Sequence, residues 1–204
     1  MASAYVVSEL RKIIIRRKGD FFYVNGDNIK CIVRNLKFVY DSVIATVELL
    51  SCAIKKLKEE ESSPFRDQVL SYFIEHLEEE RDHAGWLADD LVAHGVKLSS
   101  PDEDAMFMIG AQYYLVNHYS PYYLLGYMAV VEGTPTPIGE IEKLERVYGK
   151  KLFRFSRFHS VKDEEHKDIL FRNINEAPAQ HIESIFRSAN ITLDCMAKAS
   201  VYWR

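Results

Sequence analysis

The sequence predicts a single, all-α domain. Apolar residues recur every three or four positions through most of the chain, as they do on the buried face of a helix. No segment keeps the alternation of apolar and polar residues that a half-buried strand shows. Helix-capping residues stand where the helical period starts and stops, for example Ser63 before Pro64, and Gly95. With 204 residues, of which 48% are hydrophobic, the chain can bury one substantial core.

Seven helices are expected, and residues near their ends mark most of the boundaries. Gly19 halts the first helix before a loop at residues 20–28, where three aromatic residues (FFY) would pack down as a clamp. A charged run at residues 55–63 closes the long second helix, and Ser120-Pro121 interrupts the fourth. The expected helices cover residues 2–17, 29–59, 63–94, 100–132, 136–149, 151–175 and 178–203.

Composition and charge narrow the classes of function. The net charge of −4 provides no electrostatic attraction to nucleic acid or to an anionic membrane. The three cysteines, Cys31, Cys52 and Cys195, are odd in number and far apart, so they fit neither a disulfide framework nor a zinc knuckle. The longest apolar run near the amino terminus is Ile13–Ile15, so we expect neither a signal peptide nor a membrane span. A reducing, cytoplasmic location is therefore expected.

The segment at residues 156–170, SRFHSVKDEEHKDIL, carries the most informative pattern. His159, Asp163 and His166 are four and three residues apart, so they share one helix face. The apolar residues that fall in the same sector are Leu152, Phe155, Ile169 and Leu170. Polar groups directed into a core are unfavourable unless something satisfies them, and imidazole with carboxylate suits a metal ion. The alternative is a buried salt-bridge network.

A second group of polar residues interrupts the apolar stripe of the third expected helix. Glu80 falls midway between Phe73 and Leu87 on that stripe, and His83 follows it by three residues. Helical-bundle proteins use this Glu-x-x-His arrangement to hold iron. His76 and His83 flank the stripe on one edge, and Glu79 is rotated by roughly 100° toward solvent, so helical phase favours Glu80 on this helix. The alternative is a charged, solvated helix.

Glu132 is the third polar residue in an apolar setting. It ends the stretch YYLLGYMAVVEG, where a lone carboxylate must be neutral, paired with a core cation, exposed at the helix end or bound to a metal. Three carboxylates and three imidazoles suit one or two first-row ions such as iron or manganese, and do not suit a thiolate-bound zinc site. The six candidate ligands are Glu80, His83, Glu132, His159, Asp163 and His166.

This ordered set resembles the heme-oxygenase-like diiron oxidases and oxygenases, which are related in fold to the PQQ-synthesis oxidase and the thiaminase-like proteins. The family pairs a Glu and a His on one core helix with a Glu on the next, and has His-x-x-x-Asp-x-x-His on a third. The stretch GYMAVVEGTP is similar to the family's second core helix. The resemblance covers roughly residues 39–175, and implies a heme-oxygenase-like helical bundle. In many members the first Glu lies further before the His than Glu80 lies before His83, which leaves Glu79 and His76 as rivals of Glu80 for the ligand position on this helix.

The resemblance also implies the chemistry. Two iron ions, or a manganese–iron pair, would activate O2 as co-substrate to oxidise a small organic molecule, such as an amino acid, a fatty acid or a biosynthetic intermediate. Carbon–carbon cleavage and N-oxidation are the reaction types it implies, with a homodimer and an external electron donor as partners. Glu80, His83 and Glu132 would hold one ion, with Glu132 bridging, and the three residues of the third-helix motif would complete the other.

Two residues are candidates for a direct role in the reaction. Tyr127 could line a substrate pocket, although a tyrosine-rich core explains it equally well. Lys162 lies near 60° from His159 in helical phase, although such a lysine more often extends to the surface. Heme binding is disfavoured because residues 1–60 contain no histidine for an axial ligand. A metal-free member of the same fold, acting as a cofactorless enzyme or a small-molecule binding protein, is the principal alternative.

Overall fold

A computed structural model of the chain describes residues 2–21, 28–133 and 135–201. Those residues form nine α-helices and one short 3-10 helix, with no β-strand among them, so the all-α prediction is confirmed. The helices are α1 Ala2–Phe21, α2 Ile29–Glu59, α3 Pro64–Glu80, α4 His83–Ala93, α5 Glu103–His118, α6 Tyr123–Val131, α7 Ile138–Tyr148, α8 Arg154–Asn175 and α9 Ala179–Ser200. The 3-10 helix, Lys150–Phe153, leads into α8.

The number of helices differs from the seven expected. The expected third helix is divided into α3 and α4 by a turn at Arg81 and Asp82. Both residues are exposed, so little packing is lost when the helix breaks there. No glycine or proline marks the break, which is why the sequence pattern does not predict it. The interruption at Ser120-Pro121 is confirmed and separates α5 from α6.

Capping follows the prediction at Ser63 and Gly149, whereas α5 begins at Glu103, three residues after its expected start. The side chain of Ser63 accepts a hydrogen bond from the Arg66 amide, and Asp102 accepts from two amides at the start of α5. Gly149 ends α7 with a φ of 89°, a conformation that favours glycine. The first helix runs beyond Gly19 to Phe21, and the aromatic clamp predicted after it falls largely outside the described residues.

Helix α6 forms the centre of the main core. All of its residues from Tyr123 to Val130 are buried, and it packs against α9 at very short range. A Cβ atom at Gly126 would lie 2.0 Å from the carbonyl oxygen of Ile185, so only glycine allows this approach. Around this pair, α2 packs against α3 and α5, and α1 packs against α8 and α9. None of the described helices is long and apolar enough to cross a membrane.

Helix α8 lies beside α3, α4 and α6, and this arrangement positions the polar residues. Arg154 at the start of α8 donates hydrogen bonds from Nε and Nη2 to the carboxylate of Asp90, which is fully buried in α4. Three of the apolar residues predicted to share the buried face of α8 are buried: Leu152, Phe155 and Leu170. The prediction for Ile169 is wrong, since it is 39% exposed; it stands about 80° from His159, at the edge of the buried sector.

Candidate metal centre

Four side chains on successive turns of the α3–α4 segment face the third-helix motif on α8. They are His76, Glu79, Glu80 and His83. Three of these four are buried, whereas the Glu79 side chain is 43% exposed, as its helical phase predicts. The motif on α8 supplies His159, Asp163 and His166, and the C-cap residue of α6 is Glu132.

The first of two groups of candidate ligands, the inner cluster, consists of Glu80, His83 and His159. One potential ligand atom from each lies within 4.8 Å of the others. The Glu80 carboxylate is 3.1 Å from His83 Nδ1 through Oε2 and 4.0 Å from His159 Nε2 through Oε1. His159 Nδ1 donates a hydrogen bond of 2.9 Å to Asp163 Oδ1. Asp163 thereby fixes the imidazole ring so that Nε2 faces the cluster.

The second group, the outer cluster, consists of His76, Glu79 and His166, again with ligand atoms within 4.8 Å of one another. His166 Nε2 is 2.7 Å from Glu79 Oε2, and the rings of the two histidines meet edge to face at 5.2 Å. Glu132 Oε1 approaches His76 Nε2 to 2.9 Å from the other side. The outer cluster lies one helical turn from the inner cluster along α3.

Many of the polar atoms in these clusters are buried without a hydrogen-bond partner. Among the described residues, 13 buried side-chain nitrogen and oxygen atoms lack one; seven of them belong to the two clusters, and an eighth belongs to Glu132 beside His76. Some have an oppositely charged atom nearby, but the angle does not allow a hydrogen bond. The eight atoms are both ring nitrogens of His76 and of His166, His83 Nδ1, His159 Nε2, Glu80 Oε1 and Glu132 Oε2. Such atoms are unfavourable in a dry interior, and bound metal ions would satisfy them, so these residues fit a metal centre.

In the metal-free site, the pKa shifts favour positively charged histidines and negatively charged carboxylates. Burial alone would lower the pKa of His76, but the carboxylate of Glu132, together with those of Glu80 and Glu79, outweighs burial and raises that pKa to about 9. Burial also opposes charge on His159, where the hydrogen bond to Asp163 raises the pKa. Burial alone would raise the pKa of Glu80, but the adjacent His83 and the other histidines nearby lower it. Protons on these histidines therefore supply the positive charge that a bound metal ion would supply in their place.

A cavity of about 200 Å³ adjoins the inner cluster. Glu80, Glu132, His159 and Asp163 all contribute to its wall. Much of the remaining wall is apolar and includes Leu36, Val39, Val43, Met108, Phe155 and Met196. Tyr127 also lines the cavity, and its hydroxyl is hydrogen-bonded to that of Thr46 at 2.8 Å. A small organic molecule in this space would lie directly against the candidate ligands.

The structure brings the six candidate ligands together but groups them differently from the expectation. His159 joins Glu80 and His83, while His166 joins the two residues regarded as rivals, His76 and Glu79. Their roles as ligands stay predictions. Glu132 and Asp163 belong to neither cluster as defined by ligand distance, and each lies beside one histidine.

Of the two residues considered for the reaction, only Tyr127 lines the cavity. Lys162 lies outside the described lining, with its Nζ 3.9 Å from Glu79 Oε1. Sequence reasoning missed Lys18 and Asn35, which also line the cavity. Neither residue has a motif around it, and only the packing of α1 and α2 around the site brings them there.

Comparisons with known proteins identify the fold and the family of the chain. A search of curated protein sequences found no significant match. Two solved structures share the fold at low sequence identity. The first is a domain of unknown function with a heme oxygenase-like fold from Shewanella denitrificans OS217, with a TM-score of 0.75, 14% identity, and coverage of 95% of this chain and 88% of that one. The second is a TenA homolog from Pseudomonas syringae pv. tomato str. DC3000, with a TM-score of 0.70, 13% identity, and coverage of 99% and 91%.

These structural matches identify the fold as heme-oxygenase-like. A family model described as iron-containing redox enzyme matches residues 39–197, a stretch that contains every residue of both clusters. Since that match spans well over half of the sequence, the chain belongs to the family of iron-containing redox enzymes with a heme-oxygenase-like fold.

Proposed function

We propose that this protein is a non-heme oxidase or oxygenase that uses two iron ions, or a manganese–iron pair, and O2 to oxidise a small organic substrate. The observation that carries the proposal is the concentration of eight buried, unpartnered nitrogen and oxygen atoms in the two clusters and on the adjacent Glu132, beside a largely apolar cavity. A single polar core network would pair such atoms with each other. Imidazole and carboxylate together are a ligand set that iron and manganese accept.

Each cluster would hold one ion. Glu80, His83 and His159 form the inner position, and His76, Glu79 and His166 form the outer one. Glu132 and Asp163 add two further carboxylates at the boundary between the clusters and the cavity. When bound, the metal supplies redox chemistry with dioxygen that amino-acid side chains alone do not provide.

The chain itself positions the ligands and shields the reaction. Asp163 orients the His159 ring through its hydrogen bond, and Lys162 Nζ lies 3.9 Å from the exposed Glu79 carboxylate of the outer cluster. The apolar wall of the cavity keeps water from the substrate and from the inner cluster. The Tyr127 hydroxyl, held by Thr46, can form a hydrogen bond with a substrate in the cavity.

The test is an anaerobic titration of metal-free protein with Fe(II), followed by mixing with O2 in a stopped-flow absorbance cell. We expect two irons per chain and a transient visible absorption band. His159→Ala and His166→Ala should each remove about one iron, because each residue belongs to a different cluster. His118→Ala is the matched control, since His118 is exposed at the end of α5 and distant in sequence from both clusters. Repeating the titration with Mn(II) and Fe(II) together distinguishes a mixed pair from two irons.

A metal-free binding protein or cofactorless enzyme is the second candidate. The short separations favour it: Glu132 to His76 at 2.9 Å, and Glu79 to His166 at 2.7 Å, are ion-pair distances. On this alternative the clusters are internal salt bridges, and protein loaded with iron in the absence of oxygen would lose it on gel filtration. Wild-type protein and both histidine variants would then have the same, near-zero iron content.

A further inference from the structure

Helix α5 presents large apolar side chains to solvent along one face. Phe107 is 56% exposed and Tyr114, two turns further along the helix, is 57% exposed. Gly110 lies between them and His118 follows one turn later, and both are also exposed. Met106 lies beside this stripe and is half exposed. Monomeric proteins rarely leave such side chains together in water, so this surface, the α5 face, is typical of a protein contact.

The α5 face has the composition of an interface centre. The sequence contains no lysine, arginine, aspartate or glutamate from residue 105 to residue 131, a stretch that includes all of α5 beyond Asp104. Charged residues lie at its edge. Lys198 of α9 has its Nζ 5.0 Å from the centre of the Phe107 ring and 3.4 Å from Asp104 Oδ1. Protein interfaces likewise combine an aromatic centre of low charge with a polar rim.

The spacing of residues on the α5 face allows it to pair with itself. When two identical helices lie antiparallel about a two-fold axis, residues equally distant from the axis meet each other. Phe107 and Tyr114 have their midpoint next to Gly110, and Glu103 and His118 have the same midpoint. One axis therefore places Phe107 against Tyr114 of the other copy. The same axis places the exposed Glu103 carboxylate beside an imidazole of the other copy that can donate a hydrogen bond to it.

The exposed area agrees with a contact of ordinary size. An aromatic side chain buries about 150–250 Å², so Phe107, Tyr114 and Tyr119, each more than half exposed, offer roughly 300 Å² on each copy. The Tyr119 ring centre is 5.8 Å from that of Tyr114, so it extends the same surface. A standard interface buries about 800 Å² on each partner. Three side chains supply more than a third of that area, and the flanking helices α2 and α9 add to it.

We propose that the α5 face binds a second copy of this chain, forming a two-fold symmetric dimer in which the two α5 helices lie antiparallel. The inference goes beyond the proposed function, because no residue of either metal cluster belongs to this face and the contact does not require iron. It specifies the surface and the pairs of residues that meet, whereas the family resemblance implies only that a homodimer exists. A different protein as partner would not require the two pairs to share one midpoint.

The first test is sedimentation equilibrium of the wild type and of Phe107→Glu. We expect the wild type to be dimeric at micromolar concentration. Phe107→Glu should weaken the dimer by about 30-fold or more, because it places a carboxylate in the apolar centre of the contact. The control is Val147→Glu, since Val147 is an exposed apolar residue on α7, and this variant should dimerise like the wild type. Circular dichroism verifies that each variant is folded.

Disulfide cross-linking tests the antiparallel arrangement without disturbing the apolar centre. Glu103→Cys and His118→Cys are prepared separately, mixed and oxidised. We expect a cross-linked dimer from the mixture and from neither variant alone, because these two positions meet only across the axis. Oxidised wild type controls for cross-links through Cys52 and Cys195, which are half-buried.

Three results would overturn the inference. They are a wild type that is monomeric at about 0.1 mM, a dimer that Phe107→Glu leaves intact, and cross-links that form in either single variant as readily as in the mixture. Monomeric protein that binds phosphatidylcholine vesicles, and loses that binding in Phe107→Glu, would assign the α5 face to a lipid surface instead.

Discussion

Helical phase predicts which single residues face the interior, and the buried positions of Glu80, His83 and His166 agree with it. The spacing of residues along one helix is enough to place a side chain on a face. It does not determine how residues on different helices pair, because that depends on the rotation and offset between α3 and α8. This is why His76 and Glu79 appear as rivals in the sequence and as members of a second cluster in the structure.

Replacing the side chain of Asp163 tests whether it orients His159 or binds the metal itself. Its Oδ1 accepts the hydrogen bond from His159 Nδ1 at 2.9 Å, so we expect Asp163→Asn to weaken iron binding at the inner cluster by about 10- to 100-fold. The outer cluster should keep its affinity. The measurement is an anaerobic Fe(II) titration, with Asp168→Asn, an exposed carboxylate on the same helix, as control. Complete loss of one iron would instead make Asp163 a ligand, as its place in the third-helix motif predicts.

Among the helices, those that end at glycine, proline or a capping side chain are the ones whose bounds follow from the sequence. Ser63 and Gly149 mark the start of α3 and the end of α7 where expected, whereas α5 begins at Glu103, three residues after its expected start. The division between α3 and α4 has no such mark, since it occurs at Arg81 and Asp82 in a run of charged residues. Charged residues are compatible with both a helix and an exposed turn, and only the surrounding packing selects between them.

The close contact between α6 and α9 gives a prediction for helix packing. Gly126→Ala places a methyl group 2.0 Å from the Ile185 carbonyl oxygen, so the two helices must separate. We expect the free energy of unfolding to fall by about 3 kcal/mol or more. Urea denaturation followed by circular dichroism measures this change. The control is Gly110→Ala in α5, where a Cβ meets no atom within 4 Å; it should be neutral or stabilise the protein by up to about 1 kcal/mol. Equal effects of the two substitutions would contradict the packing described here.

The fold as a whole can be predicted from the sequence, because periodicity, caps and the order of the polar residues all indicate one helical bundle. The cavity cannot be predicted in the same way. Lys18 and Asn35 enter its wall from α1 and α2, far in sequence from α8, and their neighbours in the chain carry no pattern that points to a ligand. Cavities arise from the spaces that several packed helices leave between them, and such spaces depend on every helix at once.

Metal binding should stabilise the whole molecule. The inner cluster joins α3, α4 and α8, and a ligand that binds only the native state raises its stability. At a free Fe(II) concentration about 100 times the dissociation constant, the gain is about 2.7 kcal/mol for each site. We expect anaerobic Fe(II) to raise the melting temperature of the wild type, measured by differential scanning calorimetry. The double variant His83→Ala/His166→Ala should show no shift, and a wild-type shift that survives in it would place the iron elsewhere.

Because Glu79 is exposed, we expect ions at the outer and inner positions to exchange with solvent at different rates. Every ligand of the inner cluster is enclosed by helices, whereas one ligand of the outer cluster has a side chain that is 43% exposed and can swing into water. An ion at the outer position can therefore exchange with solvent through the motion of one carboxylate, while release from the inner position requires buried side chains to move. Iron-loaded protein diluted into a strong chelator should lose its metal in two kinetic phases of equal amplitude, and Glu79→Ala should accelerate only the fast one. The fast-exchanging ion would let the cell's supply of iron set the fraction of active enzyme.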